Sequence, residues 1–189
     1  MFTRLSSWLR RVSTGRIALA ALAIFLLFTA LVLPGQSAQA NTGAEDVGSP
    51  DLSLAYSPED LYRMAEAYGP SGRRAYIRAR FTFDVAWPVV YTLFLVTSIS
   101  WLFGRAFPDN SRWQLANLAP IAGALFDYLE NVSTSAVMWR YPDPTPVVDV
   151  LAPAFTFIKW IFVGDSFVLL FLGIGAVLWR AVRRRAAGS

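Results

Sequence analysis

Asp127, Glu130, Asn131 and Thr134 fall at intervals of three, four and seven from the first of them, inside residues 115–139, a stretch that otherwise reads as a membrane-spanning helix. Those intervals place all four on one helical face. An ionisable side chain in hydrocarbon costs roughly 2.5–3.5 kcal/mol even on lenient insertion scales, so such groups turn toward a protein interior and usually mark a working site. Carboxylates held this way can carry a proton, hold a cation, or serve as general acid and base. Other apolar runs supply companions. Asp84, Pro88, Tyr91 and Ser98 share a face of the run over 81–103, and Lys159, Asp165 and Ser166 lie inside the run over 154–179.

The candidate cluster therefore holds Asp84, Asp127, Glu130 and Asp165 with Lys159, the one lysine in the chain. Lys159 can neutralise one carboxylate, and Arg80 reaches Asp84 at the i,i+4 spacing. The remaining acids need a proton or a bound cation, because like charges in low dielectric cannot all stay ionised. Tyr91 and Asn131 complete the expected ligand-binding set, with Arg73 and Arg80 at its mouth to gather an anionic headgroup. Plainer roles compete: Asn131 and Thr134 also serve as helix glue, and a lysine near a span end can snorkel. A two-carboxylate hydrolase is weakly signalled, since Asp127 and Glu130 share one helix while such enzymes set their acids across a substrate. Histidine and cysteine are both absent. That removes the commonest metal ligand and every thiolate site, so no metal and no cofactor are expected.

These side chains are positioned by a membrane protein. Of 189 residues, 55% are apolar and 16% charged, and the mean hydropathy is +0.42; soluble domains run closer to a quarter charged. The chain divides into a basic amino terminus over 1–16, an apolar run over 17–33, an extracytoplasmic segment over 34–80, a three-helix membrane region over 81–179 and a basic tail over 180–189. The first run admits two readings. It is long for a signal core, which suits an anchor, yet Ala38-Gln39-Ala40 is a small-x-small cleavage motif after which it could be removed. Ser57-Pro58-Glu59-Asp60 is a strong helix start, and the short amphipathic helix over 58–68 stops at Gly69-Pro70. A second helix, 73–80, leads into the next span. Four prolines between 140 and 153 predict an extended loop, and Gly164, Gly173 and Gly175 offer close helix approach in the last span.

Charge orients the spans. With both termini in the cytoplasm, ten arginines lie inside and six outside, and the outer segments carry eight of the thirteen acids. This satisfies the positive-inside rule with four spans. The net charge of +4 comes from arginines beside apolar runs at the termini, a membrane-orienting pattern unlike the basic stripes of nucleic-acid binders. Membrane lipids are the expected partners, and no nucleic acid. Sixteen arginines to one lysine suits a GC-rich bacterial genome, so the expected home is a bacterial cytoplasmic (inner) membrane.

The series Tyr68-Gly69-x-x-Gly72-Arg73-x-x-Tyr76, then Asp84, Pro88 and Tyr91, then Pro120, Asp127-Tyr128 and Glu130-Asn131 resembles the pattern of an uncharacterised family of small bacterial multi-pass membrane proteins. The resemblance covers roughly residues 56–161 plus an amino-terminal span. It implies a shape and a site but no activity. A looser likeness, to the four-helix sterol-isomerase and sigma-2-type membrane fold, implies a ligand cavity with buried acids. The isomerase histidine has no counterpart, so that activity is not implied.

The expected fold is all-α: a four-helix transmembrane bundle with a short amphipathic helix on its outer face. The expected function is to bind or move a small amphiphile, lipid headgroup or cation in an intramembrane acidic pocket open to the outside. Two alternatives stay open: a lipid-modifying enzyme using Asp127 or Glu130 as acid/base, and a membrane assembly or scaffold subunit whose polar stripe makes helix contacts.

Overall fold

The computed structural model describes residues 1–32, 34 and 48–186. The cleavage motif at residues 38–40 and most of the linker before Pro50 lie outside the described residues. The described chain is helical, with no strand. In order, α1 (Phe2–Val12) meets α2 (Gly15–Leu31) at a 90° corner. A single 3₁₀ turn at Pro50–Leu52 precedes α3 (Pro58–Arg80), and α4 (Phe83–Ala106) follows. A 3₁₀ segment, Arg112–Leu118, leads into α5 (Ala119–Arg140), and α6 (Val148–Ala186) closes the chain.

Pro58–Ala106 and Val148–Ala186 are long and apolar enough to cross a membrane, and α1 with α2 makes a third span if the bent pair is one. The protein is thus all-helical with two or three candidate spans, against four expected. α5 is not among them, because its polar stripe lowers its hydropathy. Two element boundaries also differ from expectation. Residues 115–118 are 3₁₀ rather than α-helix, and the proline-rich loop is shorter because α6 already starts at Val148 and contains Pro153. Pro153, the sixth residue of α6, gives up one intrahelical hydrogen bond, and the helix continues through it.

Local chemistry fixes α3. The Ser57 hydroxyl accepts the Asp60 amide at 3.2 Å, and the Asp60 carboxylate accepts the Ser57 amide at 2.8 Å, a reciprocal cap on a helix that opens with Pro58. The helix breaks at Gly69 (φ 60°, ψ 178°), a conformation essentially reserved for glycine. Beside the break, the Arg73 guanidinium donates to the Ala65 carbonyl at 2.7 Å while stacking 4.6 Å over Tyr141. Beyond the break the helix runs on to Tyr76 and Arg80, both buried.

Two apolar clusters hold the helices together. One joins α2, α4 and α6 around Ala21, Leu95, Ile99, Phe103 and Leu170, with a ladder of stacked rings, Phe25, Phe28, Phe83, Trp87 and Phe94, between α2 and α4. The other joins α3, α5 and the start of α6 around Leu61, Ala65, Val137, Met138 and Ala152. Of the three glycines expected to permit close approach, Gly173 does so: a Cβ there would lie 3.0 Å from Leu102 and Phe103 of α4. Gly164 and Gly175 face open space, and Gly123 makes the corresponding approach to Val163 between α5 and α6. The outer faces of α2 and α6 stay apolar and exposed, through Leu19, Leu26, Phe171 and Leu178 among others, as lipid-facing helices require.

Candidate functional site

Between the two apolar clusters lies a buried polar network assembled from four segments. α5 contributes Asp127, Glu130, Asn131 and Thr134, and all four are buried on one face as their spacing predicts. From α4 come Asp84 and Tyr91, also buried. α6 supplies Lys159 and Thr156, and α3 supplies Arg80 and Tyr76.

The charges meet in pairs. Lys159 Nζ lies 2.5 Å from Glu130 Oε2, and Glu130 is wholly buried. Arg80 bridges two acids, with Nε 2.7 Å from Asp84 and Nη1 3.0 Å from Asp51. Its guanidinium also sits 4.6 Å over the Tyr76 ring. The Tyr91 hydroxyl donates to Asp127 at 3.0 Å, and the Asn131 amide donates to the other Asp127 oxygen at 3.2 Å. Tyr76 donates to Thr134 at 3.1 Å, and Tyr56 bonds Thr156 at 2.9 Å. The network thus runs from α4 through α5 to α6, with α3 closing one side.

Two features set its electrostatics. Four carboxylates, Asp51, Asp84, Asp127 and Glu130, share two cations, Arg80 and Lys159. In addition, Glu130 Oε2 and Asp84 Oδ2 lie against Lys159 and Arg80 at 2.5 and 2.7 Å, while Glu130 Oε1 has no hydrogen-bond partner among the described residues. A buried carboxylate oxygen without a directed donor is costly, and it invites a proton or a ligand. Among the described residues, no three Asp, Glu, His or Cys side chains converge as metal ligands would.

No family model, curated protein or solved structure matches this chain. The site is therefore argued from its own geometry.

Seven of the nine residues expected from sequence come together here: Arg80, Asp84, Tyr91, Asp127, Glu130, Asn131 and Lys159. Two do not. Asp165 is exposed, while Ser166, beside it, is buried. At 3.6 residues per turn Ser166 lies nearly in line with Lys159, whereas Asp165 sits roughly 120° away around the helix. Arg73 is occupied with Ala65 and Tyr141 at the helix break, a structural post rather than a mouth.

The structure also adds residues that sequence reasoning passed over. Asp51, beside the presumed linker, pairs with Arg80, and its backbone carbonyl accepts from Lys159 at 3.5 Å. Burial alone would raise the Asp51 carboxyl, but Arg80, the Ser49 hydroxyl and Lys159 together hold it below the usual carboxylate value. Tyr76 and Thr156 are the other additions. The available signal for Asp51 was the Ser49-Pro50-Asp51 turn chemistry, which says only that the chain turns there.

Proposed function

We propose that this chain is a multi-pass protein of the bacterial inner membrane that binds a cationic group at the network of Asp84, Asp127, Glu130, Asn131 and Lys159. The ligand class is a cation or the charged headgroup of a small amphiphile, held or passed on from the outer side. The observation that carries the reading is the charge imbalance: four clustered carboxylates against two cations, with Glu130 wholly buried. A bound cation would reduce that excess of two negative charges, as buried charges require partners.

The architecture that goes with this reading is a bundle of α2, α4, α5 and α6, with the first part of α3 on the outer face and both termini in the cytoplasm. Support comes from the shared end of the molecule where α1 and the end of α6 sit: Ser6 donates to the Gln114 carbonyl, and Arg180 donates to the Arg105 carbonyl. That end gathers the arginines that the positive-inside rule assigns to the cytoplasm.

The test is native mass spectrometry of the purified chain with its co-purified molecules, alongside Asp127→Asn and Glu130→Gln. The expected result is a small bound species in the wild type that both variants lose while remaining folded. A ligand-free monomer indifferent to both substitutions would refute the site.

One specific observation favours a second reading. The Arg80–Asp84 pair ties α3 to α4 and the Lys159–Glu130 pair ties α5 to α6, as an assembly subunit would need for helix contact alone. Under that reading the same substitutions disrupt folding or a complex, and no small molecule is found.

A further inference from the structure

At the other end of α4 the charge is reversed. A cavity of about 770 Å³ opens between α1, the α1–α2 corner and the last turns of α4, lined by Arg10, Arg11, Ser13, Thr14, Gly15 and Arg105. Asp109 is the one carboxylate in its wall among the described residues. We propose that this cavity binds a phosphate group, presented by an anionic phospholipid headgroup or by a soluble phosphate.

Three observations converge on an anion. The first is charge, since three arginines line the cavity against one carboxylate among the described residues, the Arg105 guanidinium lying 4.6 Å over the ring of Trp101, another lining residue. Arginine forks match phosphate oxygens in a bidentate way. The second is the amino end of α2, a helix of 17 residues. Thr14 accepts the Ile17 amide at 3.3 Å, which leaves the Gly15 and Arg16 amides without an intrahelical acceptor. Such an end, with its positive dipole, favours an anion. The third is an unmet need. Ser13 is 6% exposed, and among the described residues its hydroxyl has no partner and Nε of Arg10 has none either. Both residues line the cavity.

Asp109 occupies part of this role. It lies 2.8 Å from Arg10, yet its side chain is 94% exposed. It is an internal anion at the rim that an incoming phosphate can displace.

The walls are pre-built. Ser6 of α1 donates to the Gln114 carbonyl at 2.7 Å, and the Asn117 amide donates to the Ser6 carbonyl at 3.1 Å and to Ser100 at 2.9 Å. Gln114 in turn donates to the carbonyls of Phe103, Phe107 and Pro108 at the end of α4. So α1 is fixed across the end of the bundle rather than hanging from it. Its Phe2, Leu5, Trp8 and Val12 remain exposed. A helix at a right angle to its neighbour, with apolar side chains out and arginines beside them, has the form of one lying in a membrane interface. That geometry favours the lipid as the source of the phosphate.

The full chain in a neutral detergent would be titrated with short-chain phosphatidylglycerol, short-chain phosphatidylcholine and inorganic phosphate, reading melting temperature and native mass. Phosphatidylglycerol is expected to bind and stabilise, with phosphatidylcholine much weaker. Arg10→Gln together with Arg105→Gln is expected to weaken binding about tenfold or more. Asp109→Asn removes the competing carboxylate and is expected to tighten binding a few-fold, a gain that misfolding cannot imitate. Inorganic phosphate binding as well as the lipid would support the site and assign it to a soluble anion. Equal binding of the two lipids without any phosphate effect overturns the proposal, as does an Asp109→Asn variant with unchanged affinity.

Discussion

Asp84 and Arg105 stand on the same helix, about 30 Å apart by helical rise, and their surroundings are opposites. Around Asp84 the charges are acidic in excess, buried, and already set against Arg80 and Lys159. Around Arg105 they are basic in excess, part-open to solvent, and partly unmet at Ser13 and Arg10. The contrast shows what burial demands. Charges taken out of water must find partners as the chain folds, so the acidic centre is also a structural keystone. Charges left at an open rim keep most of their hydration and can wait for a ligand. Removing a cation should therefore read as lost stability at the first centre and as lost binding at the second.

The largest effect expected is at Lys159. Lys159→Met leaves Glu130 wholly buried without its cation, at a cost of about 3–5 kcal/mol, seen as a large fall in melting temperature in detergent. Adding Glu130→Gln should recover much of it, since the two sites are coupled. A single variant that melts like the wild type would show that the acidic centre is not held together by this pair.

Next comes Asp51. Asp51→Asn weakens the bridge to Arg80 and should cost about 1.5–3 kcal/mol near neutral pH. Its carboxyl lies below the ordinary value in the folded chain. The stabilisation it contributes is thus fully present above the unfolded carboxylate value and is lost as pH falls through the folded one. Melting curves of the wild type should drop on acidification through and below the usual carboxylate range, and those of Asp51→Asn should drop less. Parallel curves would separate Asp51 from the network.

Gly69→Ala probes the break that precedes the Arg80 turn of α3. Nothing lies within 4 Å of a Cβ there, so the cost is backbone strain alone, about 1–3 kcal/mol. A variant as stable as the wild type would mean that α3 can straighten without disturbing the acidic centre. The smallest change in stability is expected at the basic rim. Asp109→Asn removes an ion pair whose acid is almost fully exposed, worth under about 1 kcal/mol. A large loss of stability there would erase the distinction between the two centres.

Much of the acidic centre was legible because hydrocarbon makes charge conspicuous. Asp127, Glu130 and Asn131 share a face by spacing, Asp84 and Tyr91 share another, and Arg80 stands one turn from Asp84. The break at Gly69 and the helix start at Ser57 were equally plain, since glycine before proline and a capped serine act through the local backbone. The basic cavity was not legible. α1 is an amphipathic helix within what read simply as a basic terminus, and its period of apolar residues at 2, 5, 9 and 12 was the signal available. Gln114 and Asn117, which fix α1 in place, carry no spacing or motif that marks them in the sequence.

By itself the sequence determined that this is a helical membrane-type chain with acids in one apolar face and arginines at its ends, because helix period and transfer cost act on each segment alone. Only the tertiary structure decided that Asp51 joins Arg80, that Lys159 meets Glu130 while Asp165 turns away, and that α1 folds over the end of α4 to enclose a cavity. Those outcomes depend on how separate segments cross, and a crossing is set by packing such as Gly173 against Phe103, which no single segment encodes.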